Sequence, residues 1–370
     1  MNNICIYGYM PFEYEKRIPE DIVIRDNLFS NNIGNQLFFN SVVRSLNCEY
    51  NSIFHYGYGC DSPEKMDRFV IPFANNIRNY ACDEYEKVFE LLRKTDKPFV
   101  ISGVGTDSDS NFNTKLNDEI VSVVSEFYKE VLRRTESIGV RGEHTKKVLV
   151  EKCNIPTDKI DVIGCPSVRY YGNSLKRPSF SSDFSDESRI AVCFTAYHYD
   201  NDEAIFLYNI LKNYKNSFVF FTDKVEAEML RNGKEITDQN RLHDLLPTRR
   251  DHFIIREGRA RFIPYQADLM KCFNSFSFLI GSRIHMVIAA ILSGIPAMLI
   301  AHSTRVKEIA DYHHIPYVYR NQLHEYSGVR ELYYKALVDM NSFYDNYSKG
   351  LEDYRVFMEK NGLVISDSFK

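Results

Sequence analysis

Ser282, Arg283 and His285 stand between two apolar runs, gathering a hydroxyl, a guanidinium and an imidazole within one helical turn. A guanidinium can grip phosphate or carboxylate bidentately, and an imidazole beside it can hold a phosphate or pass a proton. The competing reading pairs Arg283 with a carboxylate and makes His285 a satisfied core histidine. His302 and Arg305 follow the next apolar run, so they belong on the same rim of a sheet. Ser303 or Thr304 would cap a helix over 305–313 there without using Arg305. Arg141 follows the run SIGV and precedes a helical stretch. It is a further cation at a strand's C-terminal end, or else a surface arginine before a helix begun by Glu143. Asn31-Asn32-Ile33-Gly34-Asn35 precedes the helical pattern QLFFNSVVRSL. Gly34 and the amides of Asn32 and Asn35 either meet a ligand at that helix start or simply cap it.

Such groups need strands that end beside them and helices that begin there. Residues 276–281 predict a strand, 284–293 a helix apolar on every face, and 297–301 a buried parallel strand. Gly294, Pro296 and the flanking charges make this a folded βαβ unit rather than a membrane span. Further strands are predicted at 3–7, 98–102, 137–140, 160–163, 189–194 and 217–222, and helices at 34–46, 83–94, 116–134 and 143–152. This alternation is the signature of α/β layers. Two of the strands close on ordinary loops, Thr195 to His198 and Thr222-Asp223-Lys224, which rank below Arg283 and His285. Gly103-Val104-Gly105 lacks the third glycine and the helix of a dinucleotide fingerprint. The polar stretch 170–188 reads as a linker, and 331–361 as a long amphipathic helix. His313 and His314 sit at a helix end, where contact with the helix dipole suffices.

Composition removes several function classes. A chain of 370 residues suits two domains, and 44% hydrophobic with 26% charged residues is ordinary for a globular protein. A net charge of -4 without a dense Lys/Arg block gives no support to nucleic-acid binding. The N-terminal residues lack a basic region followed by an apolar core, and neither end carries a lipidation box, which points to the cytoplasm. Eight scattered cysteines without a CxxC pair argue against structural zinc and against a disulfide framework. HExxH, GxSxG and GxxxxGK[ST] are all absent, so zinc peptidase, serine hydrolase and P-loop readings lose their main support.

Taken in order, several of these pieces resemble the polysaccharide pyruvyl transferase family. Ser282-Arg283-Ile284-His285 with Ser293-Gly294-Ile295-Pro296 resembles its S-R-[LI]-H…G-[IV]-P signature. His302-Ser303-Thr304-Arg305 with Glu308 is similar to a following H-D-S-R…E element, with Ser303 in place of Asp. Ser137 through Thr145 resembles the family's strand–Arg–acid–helix segment, with Gly142 in place of Asp. Gly164-Cys165-Pro166 resembles its [DC]-P segment, Asn32-Ile33-Gly34-Asn35 its N-x-G-[DN] loop, and Tyr347 with Asn361-Gly362-Leu363 its closing helical segment.

The resemblance implies an α/β, GT-B-like fold of two Rossmann-like domains facing across a cleft. On this chain they would be residues 1–170, on the acceptor side, and residues 189–330, holding the donor anion. A linker at 171–188 would join them, and a helical segment at 331–370 would pack back on the first domain. It implies phosphoenolpyruvate as donor, with no cofactor or metal, and a pyruvate ketal on a sugar of a cell-surface polysaccharide or exopolysaccharide precursor. Carried onto this chain, Arg283 and His285 become catalytic. Arg141, Ser282, His302 and Arg305 join them around the donor, and Asn32, Gly34 and Asn35 meet the acceptor. A lipid-linked acceptor would bring the chain close to a membrane; oligomeric state carries no mark in the sequence. Two other readings use the same residues: a GT-B glycosyltransferase taking a nucleotide sugar, and a non-catalytic glycan-binding member.

Overall fold

The strands of this chain are short, and nearly all their described side chains are buried, the pattern of parallel sheets covered by helices on both faces. The computed structural model describes residues 3–8, 17–47, 53–55, 63–107, 113–181, 183–195 and 201–370. The first half supplies β1 (Ile4–Gly8), β2 (Ile53–His55), β3 (Arg68–Ile71) and β4 (Phe99–Ile101), a parallel sheet ordered β2-β1-β3-β4. Then β5 (Ile138–Val140) and β6 (Ile160–Val162) pair in parallel, and a bridge between Val104 and Val140 ties them to the sheet's edge.

Side-chain alternation gives this sheet two apolar faces. Ile4, Ile6, Val70 and Val100 point to one, under α1 (Glu20–Arg25) and α2 (Gly34–Ser45). Cys5, Tyr7, Phe69, Ile71, Phe99 and Ile101 point to the other, under α3 (Cys82–Leu92), α4 (Asp118–Leu132) and α5 (Glu143–Cys153).

The second half forms one parallel sheet, ordered β12-β11-β10-β7-β8-β9. Its strands are β7 (Ile190–Cys193), β8 (Ser217–Phe220), β9 (Ala260–Arg261), β10 (Phe278–Gly281), β11 (Ala297–Ala301) and β12 (Tyr317–Tyr319). Between them run α6 (Asn201–Asn213), α7 (Lys224–Asn232), α8 (Phe253–Arg256), α9 (Gln266–Phe273), α10 (Ile284–Leu292) and α11 (Thr304–His313). This is the doubly wound Rossmann order, with its reversal between β7 and β10. In the first sheet the reversal falls between β1 and β3. Ligand crevices form beyond the strand C-termini at such reversals. At the second one only glycine fits position 281, because a Cβ there would collide with the Cys193 carbonyl.

The first apolar face does not end at its own sheet: it continues without a break through α2 and α10 into the second sheet. α12 (Val329–Lys360) splints the back. From it, Tyr354 Oη meets Ser45 Oγ at 3.1 Å and Lys360 Nζ meets Asp161 at 3.0 Å. Asn361, at its end, accepts hydrogen bonds from the Glu136 and Ser137 amides at 3.1 Å. The polar stretch expected to be a linker lies strapped along the same helix. Arg177 pairs with Asp345 at 2.7 Å, Phe184 packs on Tyr333 at 4.6 Å between centroids, and Tyr347 Oη donates to Gly172 O at 2.9 Å. Strands β2, β3, β9 and β12 lie outside the strands that the apolar runs predict. In the loop Thr195 to His198, residues 196–198 lie outside the described residues. Among the described residues no helix is long and apolar enough to cross a membrane.

Candidate active site

Both sheet reversals open on a single cleft of about 970 Å³. Asn32, Gly34, Asn35 and Arg141 line it from the first half, and Ser282, Arg283, His285 and Arg305 from the second. His302 is buried, 8% exposed, and does not belong to the lining.

Arg283 occupies the N-cap position of α10, but its guanidinium is already engaged. Nε donates to Phe194 O at 3.0 Å, and Nη2 donates to Asp223 Oδ2 at 2.6 Å. Burial alone would lower its pKa; Asp223 and Glu226 outweigh that and raise it. Asp223 is the hub of this corner. It also accepts from Arg241 Nη1 at 3.1 Å and from the Asn32 amide at 2.7 Å. Beside it Glu226 accepts from the Thr222 and Asp223 amides at 3.0 Å, and burial and Asp223 push its carboxyl up to about 7. Ser282 is committed too, its Oγ accepting from Thr195 N at 2.9 Å.

The amides expected to meet a ligand are largely spent on the protein itself. Asn32 donates to Asp223 and accepts from Gly34 N at 2.8 Å, so it caps the start of α2 and ties the two sheets' loops together. Asn35 donates to Ser30 O at 3.1 Å. Gly34 has a steric role: a Cβ would lie 2.7 Å from His285 Nδ1, so only glycine lets α2 start against the imidazole.

Two cations remain without a carboxylate partner among the described residues. Arg141 donates through Nε to Gly103 O at 2.8 Å and lies 5.1 Å over the Phe38 ring, leaving Nη2 buried and unpartnered. Arg305 carries no ion pair either; burial and nearby Arg141 lower its pKa against the opposing pull of Asp107. His285 stands between them. Burial first, then Arg141, Arg305 and Arg283, bring its pKa down to about 3, so the imidazole is neutral. Cys165 Sγ lies 3.8 Å from His285 Nε2. Cys165 is itself fixed by His313, whose Nε2 accepts from the Cys165 amide at 2.7 Å. That bond corrects the dipole reading of His313. The buried ring acts as a neutral acceptor, with burial holding its pKa well below the usual value.

Glu308 is the residue whose setting the sequence least reveals. It is 5% exposed, accepts from Thr145 N at 3.1 Å and from Thr145 Oγ1 at 2.8 Å, and burial pushes its carboxyl up to about 7. A Cβ on Gly142 would sit 2.9 Å from Glu308 Cβ, so the glycine in place of an acidic residue makes room for this carboxyl. Ser303 holds the N-cap position of α11 without capping it, its Oγ buried and unpartnered. Between 4.5, its usual value, and about 7 the folded chain keeps the Glu308 proton while the unfolded chain releases it. Stability is therefore lost as pH rises through that window. Glu308→Gln removes this titration, and the variant should gain on the wild type by on the order of 3 kcal/mol between about pH 4 and about pH 8. Urea denaturation at the two pH values checks this; equal differences at both would show that Glu308 ionises normally.

Two guanidiniums without a carboxylate among the described residues, a neutral imidazole and strand C-termini at two sheet reversals make this an α/β protein with a cationic cleft. Residues 32–304 match the profile of the polysaccharide pyruvyl transferase family, and the chain belongs to that family. No curated protein matches the chain closely enough to count as a relative. Among solved structures the likenesses are distant. An uncharacterized protein from Klebsiella pneumoniae has 11% identity and a TM-score of 0.43, over 84% of this chain and 88% of that one. The wall teichoic acid polymerase TagF has 12% identity and a TM-score of 0.44, over 98% and 89%. The S. aureus MnaA–UDP structure has 11% identity and a TM-score of 0.45, over 99% and 100%. The family assignment rests on the sequence match alone.

Proposed function

We propose that the chain transfers pyruvate from phosphoenolpyruvate onto two hydroxyls of a glycan sugar, as a ketal. The carrying observation is the pair Arg141 and Arg305, unpaired guanidiniums flanking His285 in one cleft. Phosphoenolpyruvate carries a phosphate and a carboxylate and so calls for more than one cation. In the reaction its methylene gains a proton, one sugar hydroxyl attacks the adjacent carbon, phosphate leaves, and the second hydroxyl closes the ketal. One hydroxyl proton balances the new methyl and the other balances the departing phosphate, with no electron passed to a cofactor. Arg141 and Arg305 bind the anionic groups in this reading, and Arg283, held by Asp223, shapes the pocket and adds field. The halves 1–170 and 189–330 act as two GT-B-like domains around the cleft, in the cytoplasm where the donor is available.

His285 supplies or relays the proton. A bound anion offsets the three guanidiniums that depress its pKa, so the imidazole takes up a proton as the donor enters. Calorimetric titration with phosphoenolpyruvate at about pH 6, in buffers of different ionisation enthalpy, should show net proton uptake that His285→Gln abolishes. Buffer-independent heats would remove His285 from the proton path. The reading as a whole is tested by incubation with phosphoenolpyruvate and candidate glycans, following phosphate release and pyruvyl mass gain. Stabilisation by nucleotide sugars but not by phosphoenolpyruvate would replace it with glycosyl transfer.

A further inference from the structure

The cleft has a second polar wall that neither Arg283 nor His285 touches. The loop after β3, at the reversal of the first sheet, brings Asn75, Asn76 and Arg78 into the lining, with Glu84 from the start of α3. Its charges cancel internally: Arg78 Nη2 and Asn76 Nδ2 both donate to the Glu84 carboxylate, the latter at 2.7 Å, and Arg78 Nη1 donates to Asn75 O at 2.6 Å. Two polar atoms on this wall are nevertheless buried without a partner among the described residues, Asn75 Oδ1 and Arg78 Nε. Asn75 is only 6% exposed.

Buried polar atoms are normally paired, and an orphan in a cleft marks where a ligand's polar group completes the bond. The kind of ligand follows from charge. Across the cleft Arg141 and Arg305 lack carboxylate partners, which suits an anion. On this wall the guanidinium is neutralised by Glu84, so what stays unpartnered is one acceptor and one donor, both buried at the edge of the cleft, in a setting without net charge. A sugar's hydroxyls supply both complements, an O–H for Asn75 Oδ1 and an oxygen for Arg78 Nε.

We propose that the loop carrying Asn75 and Arg78 is the acceptor subsite, recognising the hydroxyls of a neutral sugar. This rests on the pyruvyl-transfer reading for the identity of the partner ligand, but the subsite is testable by itself. It also moves the acceptor from Asn32 and Asn35, whose amides the protein occupies, to the first sheet's reversal.

The test uses the full chain and a panel of methyl hexopyranosides, with binding followed by protein-observed NMR in the presence and absence of phosphoenolpyruvate. At least one hexoside should bind the wild type at millimolar concentration. Asn75→Ala should weaken it by about tenfold, the loss of one hydrogen bond left unsatisfied. Asn75→Asp, which keeps the acceptor atom, should hold the hexoside closer to wild-type affinity than Asn75→Ala does, and Asn75→Ala, which adds no charge, should not move the phosphoenolpyruvate affinity. Should Asn75→Ala not fold, the deoxy forms of the bound hexoside are tried on the wild type, and one of them should lose the same factor. Equal affinity in Asn75→Ala, indifference to every deoxy substitution, or no hexoside binding at all overturns the subsite. A chain that binds hexoside through Asn75 but never binds phosphoenolpyruvate overturns the donor reading instead.

Discussion

Arg141→Met should bind phosphoenolpyruvate about 30- to 5000-fold more weakly than the wild type, with hardly any change in melting temperature. The range corresponds to roughly 2–5 kcal/mol for removing one partner of a desolvated charged contact. Stability should barely move because Arg141 gives the fold a single Nε bond to Gly103 O and a stacking contact with Phe38, much of which the thioether can replace. Its Nη2 has no partner among the described residues, so a ligand in the proposed site would give that donor its bond. Isothermal titration calorimetry reads the affinity directly. If Arg141→Met bound as tightly as the wild type, the anion would have to sit elsewhere, and Arg305 alone could not hold both of its charged groups.

The second large effect is on the fold. Asp223→Ala should cost roughly 3–5 kcal/mol, because it takes the ion-pair partner from buried Arg283 and leaves buried Arg241 only the longer contact with half-exposed Asp238 at 3.8 Å. The Arg241 and Arg283 side chains are only 9% and 15% exposed, so water cannot readily replace the lost charge. The bond from Asn32 goes too, leaving a longer one, from the same amide to Thr222 Oγ1 at 3.3 Å, as the side-chain link between the α2 loop and the β8–α7 loop. Asn32→Ala, which removes a neutral amide that donates to Asp223 and accepts from Gly34 N, should cost only about 1–2 kcal/mol. Urea unfolding of the two variants gives the comparison. If Asp223→Ala proved no worse than Asn32→Ala, the guanidiniums would be finding other partners and the hub would be misassigned.

Local signals in the sequence carried much of the second half. The run 276–301 is apolar, bounded by Gly281, Gly294 and Pro296, and it folds into β10, α10 and β11 as the pattern requires. The placement of Arg283 and His285 at a strand–helix junction follows from the same boundaries. Asp223 was not legible as a hub, because Thr222-Asp223-Lys224 is ordinary loop composition. Its importance comes from residues 32, 241 and 283, far away along the chain. Asn75 and Arg78 escaped notice for a related reason: β3 is four residues long, too short for a periodic signal. Asn32 and Asn35 were read as ligand-facing because amides at a helix start suit both a cap and a ligand, and only packing decides between them. Arg283 shows the same limit. Residue type and spacing mark a cation at the right place, but not whether a distant carboxylate already holds it.

The cleft's walls are tied in two places, at the front by the Asn32–Asp223 bridge and at the back by α12, which lies against both halves. A wall fixed at both edges does not swing like a door. Opening it would expose the apolar core that runs unbroken between the sheets. In the proposed reaction, donor and acceptor would therefore meet surfaces already held at their spacing, with little of their binding free energy spent on closing the protein. What would have to be frozen on binding is chiefly the ligand: a sugar's hydroxyl rotors and the tumbling of a small anion. On that reading a cleft tied at both edges selects among sugars by shape, and analogues too large to enter would not widen it.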